Sequence, residues 1–474
     1  MTVAIVIAIA GAILAIQLLL PPIVGLADNG DFGRVMEWVG LRYPTDSRED
    51  NFVSWMLPKL AFAQSWRPNA FLTSETPLAA VAVLASRTFS DGGYFDIRVL
   101  GSLHLILLLL AVGAIVWTCR DLSPVTQGVT AALLIFIFTD VGYAAPLNSL
   151  YSQTASFLFL MLTVSVAAMA IRSGRLHGLL LVGYFLCATL FVCSKPQESL
   201  QGPLLAAFAL CAAGTRFQRW WRQPAVWLAL ALCLISISCY RLTPKWLRPV
   251  AVYNTLFREL LPNSPDPSRD LAELGLDPAL VRYMNSDPYP PESPLHDPSF
   301  RAGLFAKYDY QALLGFYTRH PRRLLFLIQR GAQSALHLRP LVLGNFPKTR
   351  GLPAGAMASH FAWWSDLRLN LAPVSSLWLS LLFGGTLVAS GIGYHRDSKR
   401  GRLFRQALVF LAAMACVEFL VATLADDIGD IARHLFVFHA CCDLLLIANA
   451  GWLTESLVKR IRRVRSPDAF GAPA

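Results

Sequence analysis

The chain alternates between long apolar stretches and short charged breaks. Apolar runs of about 17–25 residues, the length that crosses a bilayer, fall near 3–25, 97–119, 124–142, 153–171, 178–194, 199–214, 224–240, 373–394, 403–424 and 431–457. The pattern predicts an all-α, polytopic membrane protein of about ten transmembrane helices. The first run has no Lys or Arg before it and no small-residue cleavage site after it. It therefore reads as a retained span and not as a removed signal peptide.

The breaks carry the basic residues. These are Arg120; Arg172 and Arg175; Arg216, Arg219 and Arg222; Arg396, Lys399, Arg400, Arg402 and Arg405; and Lys459, Arg460, Arg462, Arg463 and Arg465. Ten spans put all of them on one side, which the positive-inside rule makes cytoplasmic. The expected organisation is then a module at 1–240 with a first outer loop at 26–96, a large outer region at 241–372, and C-terminal helices at 373–474 with a basic tail. Within the first loop, 32–41 and 52–62 repeat at helical spacing and Ser74-Glu-Thr-Pro77 opens a third segment. All three are predicted as helices lying on the outer membrane surface. The larger region is expected to hold short helices such as 270–274, a basic amphipathic helix at 322–338, and a Gly/Pro/Trp loop at 340–372.

Composition agrees with a membrane location: 55% of residues are hydrophobic and 15% charged, against about 25% charged in soluble domains. The net charge of +11 would suit nucleic acid, but its placement in the breaks is topological, so nucleic acid is not an expected partner. All nine cysteines fall in or at the ends of predicted spans. The outer loops thus have no disulfide framework, and no paired CxxC marks a metal site. There is no internal repeat and no GxGxxG, P-loop or GxSxG pattern.

The remaining chemistry gathers at the outer rims. Asp28 and Asp31 directly follow the first run, with Gly30 and Gly33 beside them. Arg98, Tyr151, Gln153, Lys195, Arg433 and His434 sit at the outer ends of later runs, and Asp430 shares a helix face with Arg433 and His434. Ionisable groups at a membrane rim are costly, which marks them as functional candidates. A carboxylate can take a proton from an acceptor hydroxyl, and cations can receive a departing phosphate. Competing readings stand beside these. Asp28 and Asp31 also suit capping of the next helix, Arg98 and Lys195 suit snorkelling to headgroups, Tyr151 and Gln153 suit closing a helix end, and His434 suits interfacial packing. Glu418 lies alone within the 403–424 run, and His104 and His439 read as core histidines.

The run Ala27-Asp-Asn-Gly-Asp-Phe-Gly-Arg-Val-Met36 resembles the first-loop motif of bacterial surface-glycan hexosyltransferases of the GT-C superfamily. Phe95-Asp-Ile-Arg-Val-Leu-Gly101, Leu147-Asn-Ser-Leu-Tyr-Ser-Gln153 and Ser194-Lys-Pro-Gln197 are similar in the same order. So are Tyr253-Asn-Thr-Leu-Phe257 with Leu274-Gly-Leu276, Leu343-Gly-Asn-Phe346 and Asp430-Ile-Ala-Arg-His-Leu-Phe436. The resemblance implies a GT-C-like fold in the cytoplasmic membrane with an outward-facing active site. It implies an inverting transfer of a hexose or arabinofuranose from a polyprenyl-phosphate donor to a glycan or glycoprotein acceptor. Asp31 would be the base, with Asp28 as its partner or substitute. Lys195, Arg433, His434, Asp430, Arg98, Tyr151 and Gln153 would contact substrate. Related sequences carry Glu where this chain has Gln153, which leaves that position a binding contact. The reading requires no metal or cofactor. Its rivals are an O-antigen-type polymerase or ligase, and a lipid-linked oligosaccharide flippase or transporter.

Overall fold

The computed structural model describes residues 3–65, 69, 71–89, 93–174, 177–214, 219–245, 247–392, 394, 397–425 and 431–465. Each of the ten apolar runs is helical. Among the described residues six helices are long and apolar enough to cross a membrane: Ile97–Asp121, Ser152–Ser173, Arg222–Arg241, Trp363–Gly391, Lys399–Leu424 and Phe436–Arg462. A seventh span results if Pro124–Phe138 and Val141–Asn148, bent by 62° at their junction, count as one. Val3–Leu18, Leu179–Val192 and Glu198–Ala213 are shorter, so the expected count of ten is not confirmed. The causes are local. The first helix ends at Leu18, just before Pro21 and Pro22, because proline lacks a donor and clashes with the preceding turn. Its 16 residues rise only about 24 Å. The bend after Phe138 is set by Asp140, whose Oδ1 accepts from the Gly142 N–H at 2.7 Å and starts a new helix.

One hydrophobic core joins the apolar helices, with Tyr143, Phe157, Tyr184, Phe191 and Phe438 fully buried in it. Residues between 26 and 100 form a second core, which reaches Tyr151 and Leu343. A third core, built on Tyr253, Phe257, Leu271 and Phe316, holds together much of the region between 250 and 327.

The segment 26–96 is only partly as expected. Gly33–Val39 is a helix and ends at Gly40, whose φ of 68° is left-handed and suits glycine. Glu75–Phe89 is a helix that begins within Ser74-Glu-Thr-Pro77. The expected helix at 52–62 does not form. Lys59–Phe62 is instead the middle strand of a three-stranded antiparallel sheet with Leu41–Arg42 and Tyr94–Asp96. Pro58 denies a helix its donor there, and Leu60 pairs with Phe95, both buried on the same face. Pairing with strands distant in sequence won over the local pattern.

Within 241–372, Pro267–Glu273 and Pro321–Ser334 are helices. The loop expected to run to 372 stops earlier, because a helix begins at Trp363. Its first turn is capped from far away: Asp140 Oδ2 accepts from the Trp364 and Ser365 N–H groups at 2.9 and 3.0 Å. One carboxylate thus caps two helices, a favourable site for negative charge twice over.

Candidate active site

Asp28 is fully buried. Its Oδ1 accepts from the Gly30 and Phe32 N–H groups at 2.8 and 3.0 Å, and its Oδ2 accepts from the Tyr43 hydroxyl at 2.5 Å. Burial pushes its carboxyl up to about 6 against these lowering hydrogen bonds. Asp28 holds the loop that leads to Asp31 and its own oxygens are enclosed, while the helix Gly33–Val39 has no side-chain cap at its N-cap Phe32.

That loop is clamped from two further directions. The Ala27 and Gly25 N–H groups donate to the carbonyls of Gly344 and Asn345 at 2.9 and 3.0 Å, and Asn345 Nδ2 donates back to the Gly25 carbonyl at 2.9 Å. Gly344 is required, since a Cβ there would lie 2.2 Å from the Ser54 carbonyl oxygen. From the other side the Tyr151 hydroxyl donates to the Ala27 carbonyl at 2.8 Å and accepts from the Asn29 N–H at 2.9 Å. Asn148 Nδ2 bridges the carbonyls of Leu18 and Val24 at 2.9 and 2.8 Å. Two motifs separated by more than a hundred residues thus converge on the first loop.

Asp31 keeps 15% of its side chain exposed, so it is reachable where Asp28 is not. Its Oδ1 lies 2.7 Å from an Arg34 guanidinium nitrogen, three residues on. Its Oδ2 accepts from Arg433. Arg433 is 7% exposed and stacks over the Tyr151 ring, 5.2 Å from its centroid. Arg433, Tyr151 and Gln153 line a narrow cleft of about 20 Å³ whose other walls are apolar, including Leu26, Leu338 and Phe436.

Lys195 Nζ lies 3.4 Å from His434 Nδ1, so these two expected residues meet. Glu418, isolated within the 403–424 run in sequence, finds partners on a neighbouring segment. Glu418 is fully buried and accepts from Gln197, and from Gln201 at 2.6 Å. Gln197 also donates to the His434 carbonyl at 3.2 Å. Glu198 is buried within electrostatic reach of Lys195 and His434. Gln197 and Gln201 are four apart and share a helical face; that spacing was the available signal for a partner to Glu418.

Arg98 is engaged elsewhere, in a fork with Asp96 at 2.6–3.1 Å. Asp96 also caps the helix that Arg98 begins, accepting from its N–H at 2.9 Å. Asp430 lies outside the described residues. His104 and His439 are fully buried as core histidines. His104 lies 3.0 Å from buried Glu75, and His439 lies 2.7 Å from the Arg368 guanidinium. Arg368 is itself buried against Asp443 at 2.9 and 3.1 Å. Asp443 also accepts from Tyr143 and Trp364 at 2.6 and 2.9 Å. Among the described residues no group of three or more His, Cys, Asp or Glu is placed to hold a metal ion.

No curated protein matches the sequence. Among solved structures, the chain is similar to the Archaeoglobus fulgidus oligosaccharyltransferase in the apo form, at 12% identity and a TM-score of 0.41, covering 100% of this chain and 52% of that one. The same enzyme tethered through a disulfide to an acceptor peptide containing the NVT sequon gives 12% identity and a TM-score of 0.41, covering 100% and 51%. The chain therefore spans about half the length of that protein. Residues 1–468 match the family model described as the YfdI N-terminal transmembrane domain, and with nearly its whole length matched, this multi-pass membrane chain belongs to that family.

Proposed function

We propose that the protein is an inverting GT-C-type glycosyltransferase that moves one sugar from a polyprenyl-phosphate donor to a glycan or glycoprotein acceptor, outside the cytoplasmic membrane. The observation that carries this reading is Asp31, an accessible carboxylate held between two guanidiniums, one of which, Arg433, lines a cleft. In the reaction an acceptor hydroxyl attacks the anomeric carbon from the face opposite the phosphate. The new carbon–oxygen bond forms as the bond to the phosphate oxygen breaks, and that electron pair leaves with the phosphate. Asp31 takes the hydroxyl proton. Arg433, with Lys195 and His434, meets the charge that gathers on the phosphate. Arg433 serves both ends of this exchange. When a phosphate draws it from Asp31, the Oδ2 that it covered becomes available as a base. Asp28 and Tyr43 hold the loop, and Gln153 and Tyr151 line the pocket for the donor.

The test is release of polyprenyl phosphate by purified protein in nanodiscs, given a lipid-linked sugar and an acceptor. Acceptor-dependent release is expected. Asp31→Asn keeps the shape and should lower kcat by about 10²–10⁴-fold while thermal stability stays near that of the wild type. Movement of intact lipid-linked sugar across the bilayer without release would mark a transporter instead. Undiminished turnover in Asp31→Asn would remove the base.

A further inference from the structure

Cys193 and Cys239 stand 46 positions apart, and their sulfurs lie 3.4 Å from each other. Cys193 closes the helix Leu179–Val192, and Cys239 lies in the last turn of the helix Arg219–Arg241. Both are partly exposed. A membrane cysteine is ordinarily a small apolar packing group, and Cys441 and Cys442 fit that description, being fully buried in the core. Two thiols that touch at helix ends without being enclosed do not fit it. Their placement is that of a pair open to thiol chemistry.

The surroundings bring the two thiols together and hold them there. Ser236, on the helix of Cys239, donates to the Ser199 carbonyl. The Cys193 carbonyl accepts from the Ser74 N–H at 3.1 Å, and the next carbonyl, of Ser194, accepts from the Thr73 hydroxyl at 2.5 Å. The two helix ends are therefore in register before any covalent bond joins them. To reach the roughly 2.0 Å of a sulfur–sulfur bond, the pair closes by about 1.4 Å, divided between two side chains that turn about their own χ1. Lys195 lies two residues beyond Cys193 and meets His434, so a bond at Cys193 also fixes the turn that presents Lys195.

We infer that Cys193 and Cys239 are joined by a disulfide in the working protein, formed by exchange with a thiol-oxidising protein outside the cytoplasmic membrane. This rests on the outward placement in the reading above, since disulfides persist outside the cytoplasm and not within it. One thiolate attacks a sulfur of the oxidant's disulfide and forms a mixed disulfide. The second thiolate displaces the oxidant's sulfur and closes the Cys193–Cys239 bond. The two electrons and two protons lost by the pair leave on the oxidant, now a dithiol. The competing state is a pair of thiols in simple contact.

The test uses the full chain in cells quenched with acid, which stops exchange. The denatured protein is blocked with N-ethylmaleimide, reduced, and labelled with iodoacetamide, and its peptides are weighed. Cys193 and Cys239 are expected to carry the second label in most copies, while the other seven cysteines carry the first. An unreduced digest should contain their two peptides joined, two hydrogens lighter than the separate thiols. Cys239→Ser should move Cys193 to the first label; Cys193→Ser, read at Cys239, repeats the test if that variant does not accumulate. Cys193 and Cys239 both carrying the first label in the wild type would overturn the inference, as would a second label at Cys193 that survives in Cys239→Ser. Labelling of Ser47→Cys by an impermeant reagent, and release of polyprenyl phosphate, are measured in parallel. Free thiols with Ser47→Cys labelled from outside would retire the disulfide alone. Free thiols with Ser47→Cys protected would retire it together with the outward placement. A disulfide without release would retire the transfer reading alone.

Discussion

At the scale of single residues, two carboxylates three positions apart have separate duties because burial separates them. Asp28 is enclosed and hydrogen-bonded, and Asp31 is reachable and ion-paired. The raised carboxyl of Asp28, near 6, has a signed consequence. Between about pH 4 and 6 the folded protein holds a proton on Asp28 that the unfolded chain has released, so this group's contribution to stability falls as pH rises through that window. Above it the full cost of about 3 kcal/mol remains, by the value of one pKa unit. Asp28→Asn keeps an oxygen for Gly30 and Phe32 and carries no charge. Its melting temperature should therefore rise relative to wild type between pH 4 and 6, and transfer should survive in part. Asp28→Ala should lose both loop and activity. A constant melting difference across that range would show that Asp28 is not buried as an acid. The sequence pointed to Asp31, Arg433, Lys195 and Tyr151 because each stands in a recognisable short motif. It could not separate Asp28 from Asp31, since the Tyr43 hydroxyl that closes on Asp28 arrives fifteen residues later.

At the scale of elements, the apolar runs announced the helices, because a bilayer forces every backbone polar group to pair within its own segment. What stayed hidden was fixed by distant partners. Lys59–Phe62 became a strand through Tyr94–Asp96, and the helix at Trp363 began early because Asp140 caps it from 224 residues away. Arg368 and Asp443 likewise come from separate helices and meet with no exposure at all. Breaking such a pair on one side strands a buried charge and costs about 3–5 kcal/mol. Arg368→Met should therefore lower thermal stability sharply. Adding Asp443→Asn, which removes the stranded charge and still accepts from Tyr143 and Trp364, should recover much of the loss. A double variant no more stable than the single would show that packing, and not charge, sets the cost.

At the scale of the whole molecule, the proposed transfer faces outward only if 26–96 and 241–372 lie outside, as ten spans with basic breaks on the cytoplasmic side would place them. Single cysteines at the exposed positions Ser47 and Ser268, in a background without the nine native cysteines, should react with an impermeant thiol reagent in intact cells, or in spheroplasts where an outer membrane is present. A cysteine at exposed Ser173 should react only after lysis. The reverse pattern would turn the site inward. The contact between Asp31 and Arg433 joins residues 402 positions apart, and this has a meaning for biogenesis. Chains emerge at about 5–20 residues per second, so the acidic loop is in place for roughly twenty seconds to more than a minute before its basic partner is made. The short helix Ile431–His434, which carries Arg433, thus completes this contact only when nearly the whole chain has been made.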